Sequence, residues 1–527
     1  MKGFIIAHDV GTSCTKAVLV DVNGNVIDSV SEEYRVYYPR PGWAEQEPED
    51  WWGAVAKTTT LLLEKAAILP RDVLAMTFAT QMLGIVPMGG EGALRRAIIW
   101  LDSRATREAE RLMRRFISAK VFALIAGARL GGKDGMPKLL WLKENEPRIY
   151  KGMRCFLDTC GYLLYKTTGR SVMELSNASV FGIDLKRKRW LNWVFKYFGL
   201  DTDKLPPLVK STDRVGELKA DAAKACGLLP GTPIIAGAGD APAAAVGSGT
   251  VREGEGHVYL GTSGWVGVTT EKTPTGRCGV AAIQSADPEK AFLFAESETA
   301  GYCLRWIRDQ FYREEKEDPQ IENVYALMDR DVNGVPPGSE SLIFTPWMYG
   351  ERAPISDNYV RSTFFNLCAN HRREHLLRAV YEGVAYNIRW ILEIVEQRFG
   401  FRLPRLRVIG GGARGDVWMQ ILADVTKREV ETLENPQERG AVGAALVAAI
   451  GLGVYANFEA LAEVIKAGNT FSPDRGNGRV YDFLFENYKA LYRQLKGIYR
   501  RVNGRQGCES DGVGALRGGR SSSAAEG

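Results

Sequence analysis

One short pattern occurs twice in this chain and constrains its fold more than any other feature. Ile5-Ile6-Ala7-His8-Asp9-Val10-Gly11-Thr12-Ser13 is an apolar run entering a Gly-Thr-Ser turn. His257-Val258-Tyr259-Leu260-Gly261-Thr262-Ser263 repeats the plan about 250 residues later. Both turns lead into a second apolar run, as a β-hairpin does. Two such units so far apart describe two related domains in tandem. A three-residue match can arise by chance, so the matching strand contexts carry the weight.

After the first turn, Lys16–Val20 leads to Asn23-Gly24-Asn25 and then Val26-Ile27, and Asn-Gly between apolar runs favours a tight turn. Further strands are expected at Val73–Ala79, Ala97–Trp100, Pro233–Ala236, His257–Leu260, Leu342–Thr345 and Leu406–Ile409. Helical periodicity separates them at Glu49–Lys65, Ala105–Ala119, Glu374–Gln397 and Val417–Thr426. Strands alternating with long helices mean an α/β architecture. The boundary between the domains falls near Pro242–Gly254, giving a first domain at 1–245 and a second at 246–502. Residues 503–527 contain Gly-Gly-Arg-Ser-Ser-Ser-Ala-Ala and lack apolar periodicity, so a disordered tail is expected there.

Composition narrows the function classes. The 527 residues are 45% apolar, too many for one core and ample for globular domains. Lys plus Arg is 68 and Asp plus Glu is 63, a net charge of +5 without a clustered basic stripe. Nucleic-acid and membrane-surface partners are therefore not expected. The four histidines and eight cysteines form no zinc-ligand spacing. The start meets Asp9 too early for a signal segment, and Ala441–Val454 falls short of a membrane span. A cytoplasmic protein with reduced thiols is expected.

The motifs suit phosphate and sugar chemistry. In Asp9-Val10-Gly11-Thr12-Ser13, with Lys16 following, backbone N–H groups and hydroxyls can cradle polyphosphate, and Asp9 can hold Mg²⁺ through water. A polar hairpin turn capped by the aspartate reads equally well from this motif alone. Gly261-Thr262-Ser263 offers a second such turn. Gly410-Gly411-Gly412-Ala413 follows a strand and would let a flat ligand approach the backbone, or make a plain strand-to-helix turn. The small-residue helix Gly440–Gly453 would pack under such a site, although packing alone explains it equally well. In Pro233–Pro242 a strand ends in glycines and then Asp240, near a helix N-terminus whose dipole favours the ionised carboxylate. Such a group can take a proton from a sugar hydroxyl, or simply cap the helix. Trp100-Leu101-Asp102-Ser103-Arg104 and Thr80-Gln81-Met82-Leu83-Gly84 set polar groups beside apolar surface, as a sugar or ordinary domain packing requires.

Together these residues resemble the FGGY carbohydrate kinases, and within them the xylulokinase-like ketose kinases. The likeness runs over about residues 3–500, in order through Asp9–Ser13, Gly42-Trp43-Ala44-Glu45-Gln46 with Trp51-Trp52, Gln81-Met82, Trp100–Arg104, Pro137–Trp141, Gly239-Asp240, Gly261–Ser263, Gly350-Glu351-Arg352-Ala353-Pro354 and Gly410–Ala413. The resemblance implies two actin-like ATPase domains, with ribonuclease-H-like cores, flanking a catalytic cleft. It implies transfer of the γ-phosphoryl group of Mg-ATP to a sugar hydroxyl. Asp240 matches the catalytic base, and Asp9 the residue that positions Mg²⁺. Thr12, Ser13, Lys16, Gly261, Thr262, Gly301, Arg305, Gly411, Gly412 and Ala413 fall at ATP-binding positions. Gln81, Met82, Leu83, Trp100, Asp102 and Asp240 fall at sugar-binding positions.

The sequence departs from the xylulokinase pattern at Leu83, where those enzymes have His, and at Ala241, where they have Asn. Both changes remove hydrogen-bonding groups, so D-xylulose phosphorylated at O5 is the leading substrate beside another ketose or polyol of ribulose, fuculose, erythritol or glycerol type. A catalytically silent sugar- and nucleotide-binding regulator is the alternative of a different class. His8 and Asn366 also depart from the pattern, Asn366 standing where Gly is usual. The resemblance adds a possible homodimer.

Overall fold

The computed structural model describes residues 3–115, 130–276 and 278–504. Two seven-stranded sheets dominate it, and they share one plan. In the first, Phe4–Val10, Cys14–Asp21 and Val26–Glu33 form an antiparallel meander. On its other side Phe4–Val10 pairs in parallel with Val73–Thr80, followed by Pro233–Ile235 and the antiparallel edge Arg214–Glu217. In the second, Gly256–Leu260, Gly264–Thr270 and Ala291–Ser297 repeat the meander, with Val280–Gln284 added at its edge. Gly256–Leu260 then pairs in parallel with Arg405–Ile409, followed by Glu429–Leu433 and the antiparallel edge Ala467–Phe471. The repeated Gly-Thr-Ser turn is thus the visible trace of a duplicated α/β domain.

The central strands are near-continuous apolar runs because both faces are covered, whereas the edge strand Val26–Glu33 mixes charged and apolar residues. Its Asn-Gly turn forms as expected. Gly24 takes φ +78°, and Asp21 Oδ1 accepts from Asn23 N and Asn25 N at 2.9 Å each. Most expected elements stand within one or two residues of their expected bounds, such as helices Pro48–Ala66 and Asp416–Thr426. The strand expected at Ala97–Trp100 shortens to Ala97–Ile98. The helix expected over Ala105–Ala119 is Thr106–Arg115, and residues 116–119 lie outside the described residues. The expected tail at 503–527 begins too early, since helix Gly478–Asn503 includes Asn503; residues 505–527 lie outside the described residues.

Between the sheets lie two short-side-chain helices, Asp240–Gly247 and Arg439–Gly451. Arg439–Gly451 packs on the first sheet, burying Ala441, Val442, Ala445 and Leu446 against Ile5, Ala7, Val18 and Val20. Asp240–Gly247 turns Ala241, Ala244 and Ala245 towards Trp265, Phe292 and Ile409 of the second. Where the helices cross, backbone meets backbone: a Cβ on Gly443 would stand 1.8 Å from Ala243 O, and one on Gly247 1.8 Å from Arg439 O. The small residues of 440–453, which site support and plain packing explain equally well from sequence, pack at this crossing between the two halves.

Glycine at 443 is therefore obligatory, whereas Gly53, in helix Pro48–Ala66, has nothing within 4 Å of its missing Cβ. Gly443→Ala is expected to destabilise the protein by about 1–3 kcal/mol or more through overpacking. Gly53→Ala should stabilise it by up to about 1 kcal/mol. Thermal denaturation of the two variants checks this; like-signed shifts would contradict the crossing.

Candidate active site

The strand ends of both sheets meet at one cavity of about 1330 Å³. Asp9, Thr12, Ser13 and Lys16 line it from the first hairpin, and Thr262 and Ser263 from the second. The first turn closes through Gly11 N to Cys14 O at 3.0 Å, with Asp9 opposite Lys16 across the hairpin. The second closes through Gly261 N to Ser263 O at 3.0 Å. It is stitched to the start of helix Gly301–Phe311 by Gly301 N to Gly261 O (2.8 Å) and Tyr302 N to Thr262 O (3.1 Å). Gly301 is therefore a support for the turn. Arg305, one turn along that helix, lies on the cavity wall beside Tyr302.

Asp240 opens helix Asp240–Gly247, and its Oδ1 accepts from Ala241 N at 2.8 Å. Its carboxyl faces the cavity. At this helix start, burial and neighbouring carboxylates oppose the ionised form. Burial deep in the cleft, then the Asp9 carboxylate, and then Glu296 push its pKa up to about 7, against the backbone donors that lower it. Asp9 is held at about 6 by burial; Lys16 pulls it down and Glu438 pushes it up. Gly440, at the start of the other crossing helix, leaves room for Asp9: a Cβ there would lie 2.7 Å from its Oδ2. Each crossing helix thus begins at one of the two carboxylates.

The expected sugar-binding residues divide. Gln81, Met82, Leu83 and Trp100 line the cavity. Two of them also hold the first turn: Trp100 Nε1 donates to Thr12 Oγ1 at 2.8 Å, and Gln81 Nε2 donates to Gln46 Oε1 at 2.7 Å. Gln46 Nε2 in turn donates to Thr12 O at 2.6 Å. Gln81 Oε1 is buried without a partner. Asp102 belongs elsewhere. It is fully buried, accepts from Ala44 N at 2.6 Å, and pairs with Arg104 at 2.7 Å, which also reaches Glu45 at 2.8 Å. Its oxygens are occupied by these partners and it forms no part of the cavity wall, so it braces the loop instead of contacting a ligand. Ala241 is buried against Trp265, off the wall, so its small size serves packing.

At the other end Ile409, Pro436, Gln437 and Gly440 form the wall. Gly410, at φ +91°, turns the chain into Gly411–Arg414. Gly411 has an open face, whereas Gly412 makes room for the Trp418 ring, and Ala413 is buried. Lys16 Nζ donates to Gln437 O at 3.2 Å and pairs with Glu438 at 3.4 Å. That contact ties the first turn to this end.

Several wall residues were not singled out as site residues in the sequence. Lys133 pairs with Glu298 at 3.0 Å, Glu298 with Arg352 at 2.8 Å, and Arg352 with Glu296 at 2.6 Å. Only Arg352 had a sequence signal, the Gly-Glu-Arg-Ala-Pro motif; the others come from separate segments that only folding unites. His8 bonds Thr59 at 2.9 Å. Since the Thr59 hydroxyl proton goes to Val55 O at 2.7 Å, His8 Nε2 must be the donor. Burial lowers this histidine to about 4, so it is a neutral core residue. Asn366 has φ +70°, a conformation Asn tolerates, which accounts for it at a glycine position. Among the described residues no helix is long and apolar enough to cross a membrane.

Two family models match the chain: the N-terminal domain of the FGGY family of carbohydrate kinases over residues 4–247, and its C-terminal domain over residues 256–452. Xylulose kinase of Bacillus subtilis is 31% identical over 499 residues, 94% of this chain and 98% of the relative. Gluconokinase of the same organism is 27% identical over 506 residues, 95% and 98% of the two chains. A crystal structure of xylulose kinase from Lactobacillus acidophilus superposes with a TM-score of 0.85 over 95% of this chain and 100% of that one; at 24% identity this likeness concerns the fold.

A carboxylate whose pKa is raised from 3.8 to about 7 destabilises the fold wherever it is ionised. The folded state binds a proton that the unfolded chain has released between those values, so stability rises as pH falls from 8 through 7. Asp240→Asn should therefore raise the melting temperature at pH 8, and the gain should shrink towards pH 5. A loss at pH 8 would mean that ionised Asp240 stabilises the cleft.

Proposed function

The chain belongs to the FGGY family of carbohydrate kinases, and on that premise we propose that it transfers the γ-phosphoryl group of ATP to a ketose, D-xylulose first among candidates, with Asp240 as general base. One observation carries the reading: Asp240, at about 7, faces the same cavity as both Gly-Thr-Ser turns. A base poised near neutral pH is suited to taking the proton of a sugar hydroxyl as its oxygen attacks phosphorus. The turns contribute backbone N–H groups and the hydroxyls of Thr12, Ser13 and Thr262 to phosphate oxygens, and Lys16 and Arg305 add positive charge. Gly411 leaves its face open for the nucleotide base or ribose. The bond from the β–γ bridging oxygen to phosphorus breaks, and its electron pair leaves with ADP.

Mg²⁺ belongs to the same proposal. The donor set fits it: Asp9 offers a carboxylate beside the phosphate turn, and Mg²⁺ binds through one or two carboxylates, phosphates and retained waters. The ion would neutralise charge on the phosphates. Residues 1–245 would hold the sugar and the first phosphate turn, and 246–502 the nucleotide. A cytoplasmic location and a homodimer belong to the same proposal, and light scattering tests the second.

The cavity's charge favours a neutral sugar over an aldonate. Lys133 and Arg352, the cations lying over the Trp100 ring, are each already paired with glutamate. Beside the Trp100 ring a gluconate carboxylate would find these two cations already taken by Glu296 and Glu298. Leu83, at φ +62°, gives the wall an apolar face where xylulokinases have His, which leaves other neutral ketoses and polyols as competitors.

A coupled ADP-release assay over ketoses, aldoses, polyols and gluconate tests the substrate. One neutral sugar is expected to respond strongly; a response confined to gluconate would overturn the charge argument, and binding without turnover would favour the silent regulator. Turnover should fall about tenfold per pH unit below 7 as Asp240 takes up a proton. Asp240→Asn should lower kcat at least about a hundredfold while ATP still binds; near-normal turnover would remove Asp240 from the base role.

A further inference from the structure

Tyr259 occupies a special place in the duplicated fold. It precedes Gly261 by two residues, as Asp9 precedes Gly11, so the two side chains are counterparts on the first strands of the two sheets. Both face the cavity. The Tyr259 ring lies across both glycine turns of the second domain. A Cβ on Gly261 would stand 2.4 Å from the Tyr259 hydroxyl, and one on Gly410 would stand 3.1 Å from the ring. Side chains at these positions would displace the ring, so the glycines and the tyrosine form one unit. The hydroxyl itself rests at the phosphate turn.

The ring is held by a buried relay. Trp265 stacks on Tyr259 with centroids 3.8 Å apart and planes 10° from parallel. Trp265 Nε1 donates to His257 Nε2 at 3.1 Å. That Nε2 must therefore be the unprotonated nitrogen, leaving Nδ1–H for Thr250 Oγ1 at 3.2 Å. Burial lowers the His257 pKa to about 3, so the relay keeps this tautomer at any working pH. Thr250 continues to Ser248 at 2.9 Å, just past the helix that starts at Asp240. Burial, and then the carboxylates of Asp9 and Asp240, push the Tyr259 phenol upward, so it keeps a proton to donate.

We infer that the Tyr259 hydroxyl is a catalytic hydrogen-bond donor to a non-bridging oxygen of the transferring phosphoryl group, with Trp265 and His257 as its positioning residues. This rests on the phosphotransfer reading above. The proton of the sugar hydroxyl still goes to Asp240, the sugar oxygen–phosphorus bond forms and the bond to the ADP oxygen breaks; Tyr259 loses nothing. Its contribution grows as charge gathers on the phosphoryl oxygens, so it acts on the transition state more than on bound ATP.

Tyr259→Phe keeps the stacked ring and removes only the donor. Its kcat with the best sugar of the panel should fall about ten- to a hundredfold, with KM for ATP and sugar within about twofold of wild type and an unchanged melting temperature. Trp265→Phe should lower kcat by a smaller factor, and Tyr259→Phe with Trp265→Phe should be no worse than Tyr259→Phe alone, since both act through one hydroxyl. A Tyr259→Phe enzyme with at least half the wild-type kcat would overturn the inference, as would a loss expressed only in KM. Failure of the kinase reading looks different: wild type itself would release no ADP with any sugar.

Discussion

The contact between Gly247 and Gly443 is the constraint on which the rest of the molecule depends. Two helices can approach until backbone touches backbone only where side chains are missing, and here each missing side chain would run into a backbone carbonyl of the other helix. The alanines flanking the contact let each helix lie against a sheet of its own. Close packing of this kind relies on dispersion between many short contacts and on the exclusion of water, with almost no rotamer entropy lost, since Ala and Gly have none to lose. The geometry also sets the chemistry, because Asp240 starts one helix and the other begins with Gly440 against Asp9. A site made of two carboxylates has a natural tendency to fly apart by charge repulsion; here the separation is fixed by helices that cannot shift without a clash.

Much of this was legible in the chain. The two Gly-Thr-Ser turns announce the duplication because a tight turn demands local residue types, and Asp240 stands out because a strand, glycines and a proline frame it. What could not be read depends on partners distant in sequence. Asp102 looks like a ligand-facing carboxylate in its own loop; only folding brings Ala44 and Arg104 against its oxygens and turns it into a brace. Gln46 joins Thr12, Gln81 and Trp51 through one amide, a junction that no spacing rule encodes. The charge of Asp240 escapes a local reading for the same reason: the helix start is local, whereas the burial, and Asp9 and Glu296 from two other strands, come only with folding.

One row of charged side chains on the cavity wall is paired throughout. Lys133, Glu298, Arg352 and Glu296 neutralise one another in a row that runs from one half of the molecule to the other. Half-buried ion pairs of this kind contribute modestly to stability but fix orientation, since the Arg352 guanidinium bridges both Glu296 and Glu298. Met82 and Leu83 add an uncharged, apolar stretch to the same wall.

The crossing helices also have a mechanical consequence. Asp240 lies about seven residues, or roughly 10 Å of helix, from Gly247, and Gly440 lies closer still to Gly443. If the crossing acts as an axle, points near it travel little while the rims of the cleft sweep through long arcs. The chemistry sits at the hub. A rocking motion of the two halves would therefore carry the wall around Trp100 and the wall around Gln437 towards each other and leave the spacing of the two carboxylates almost untouched.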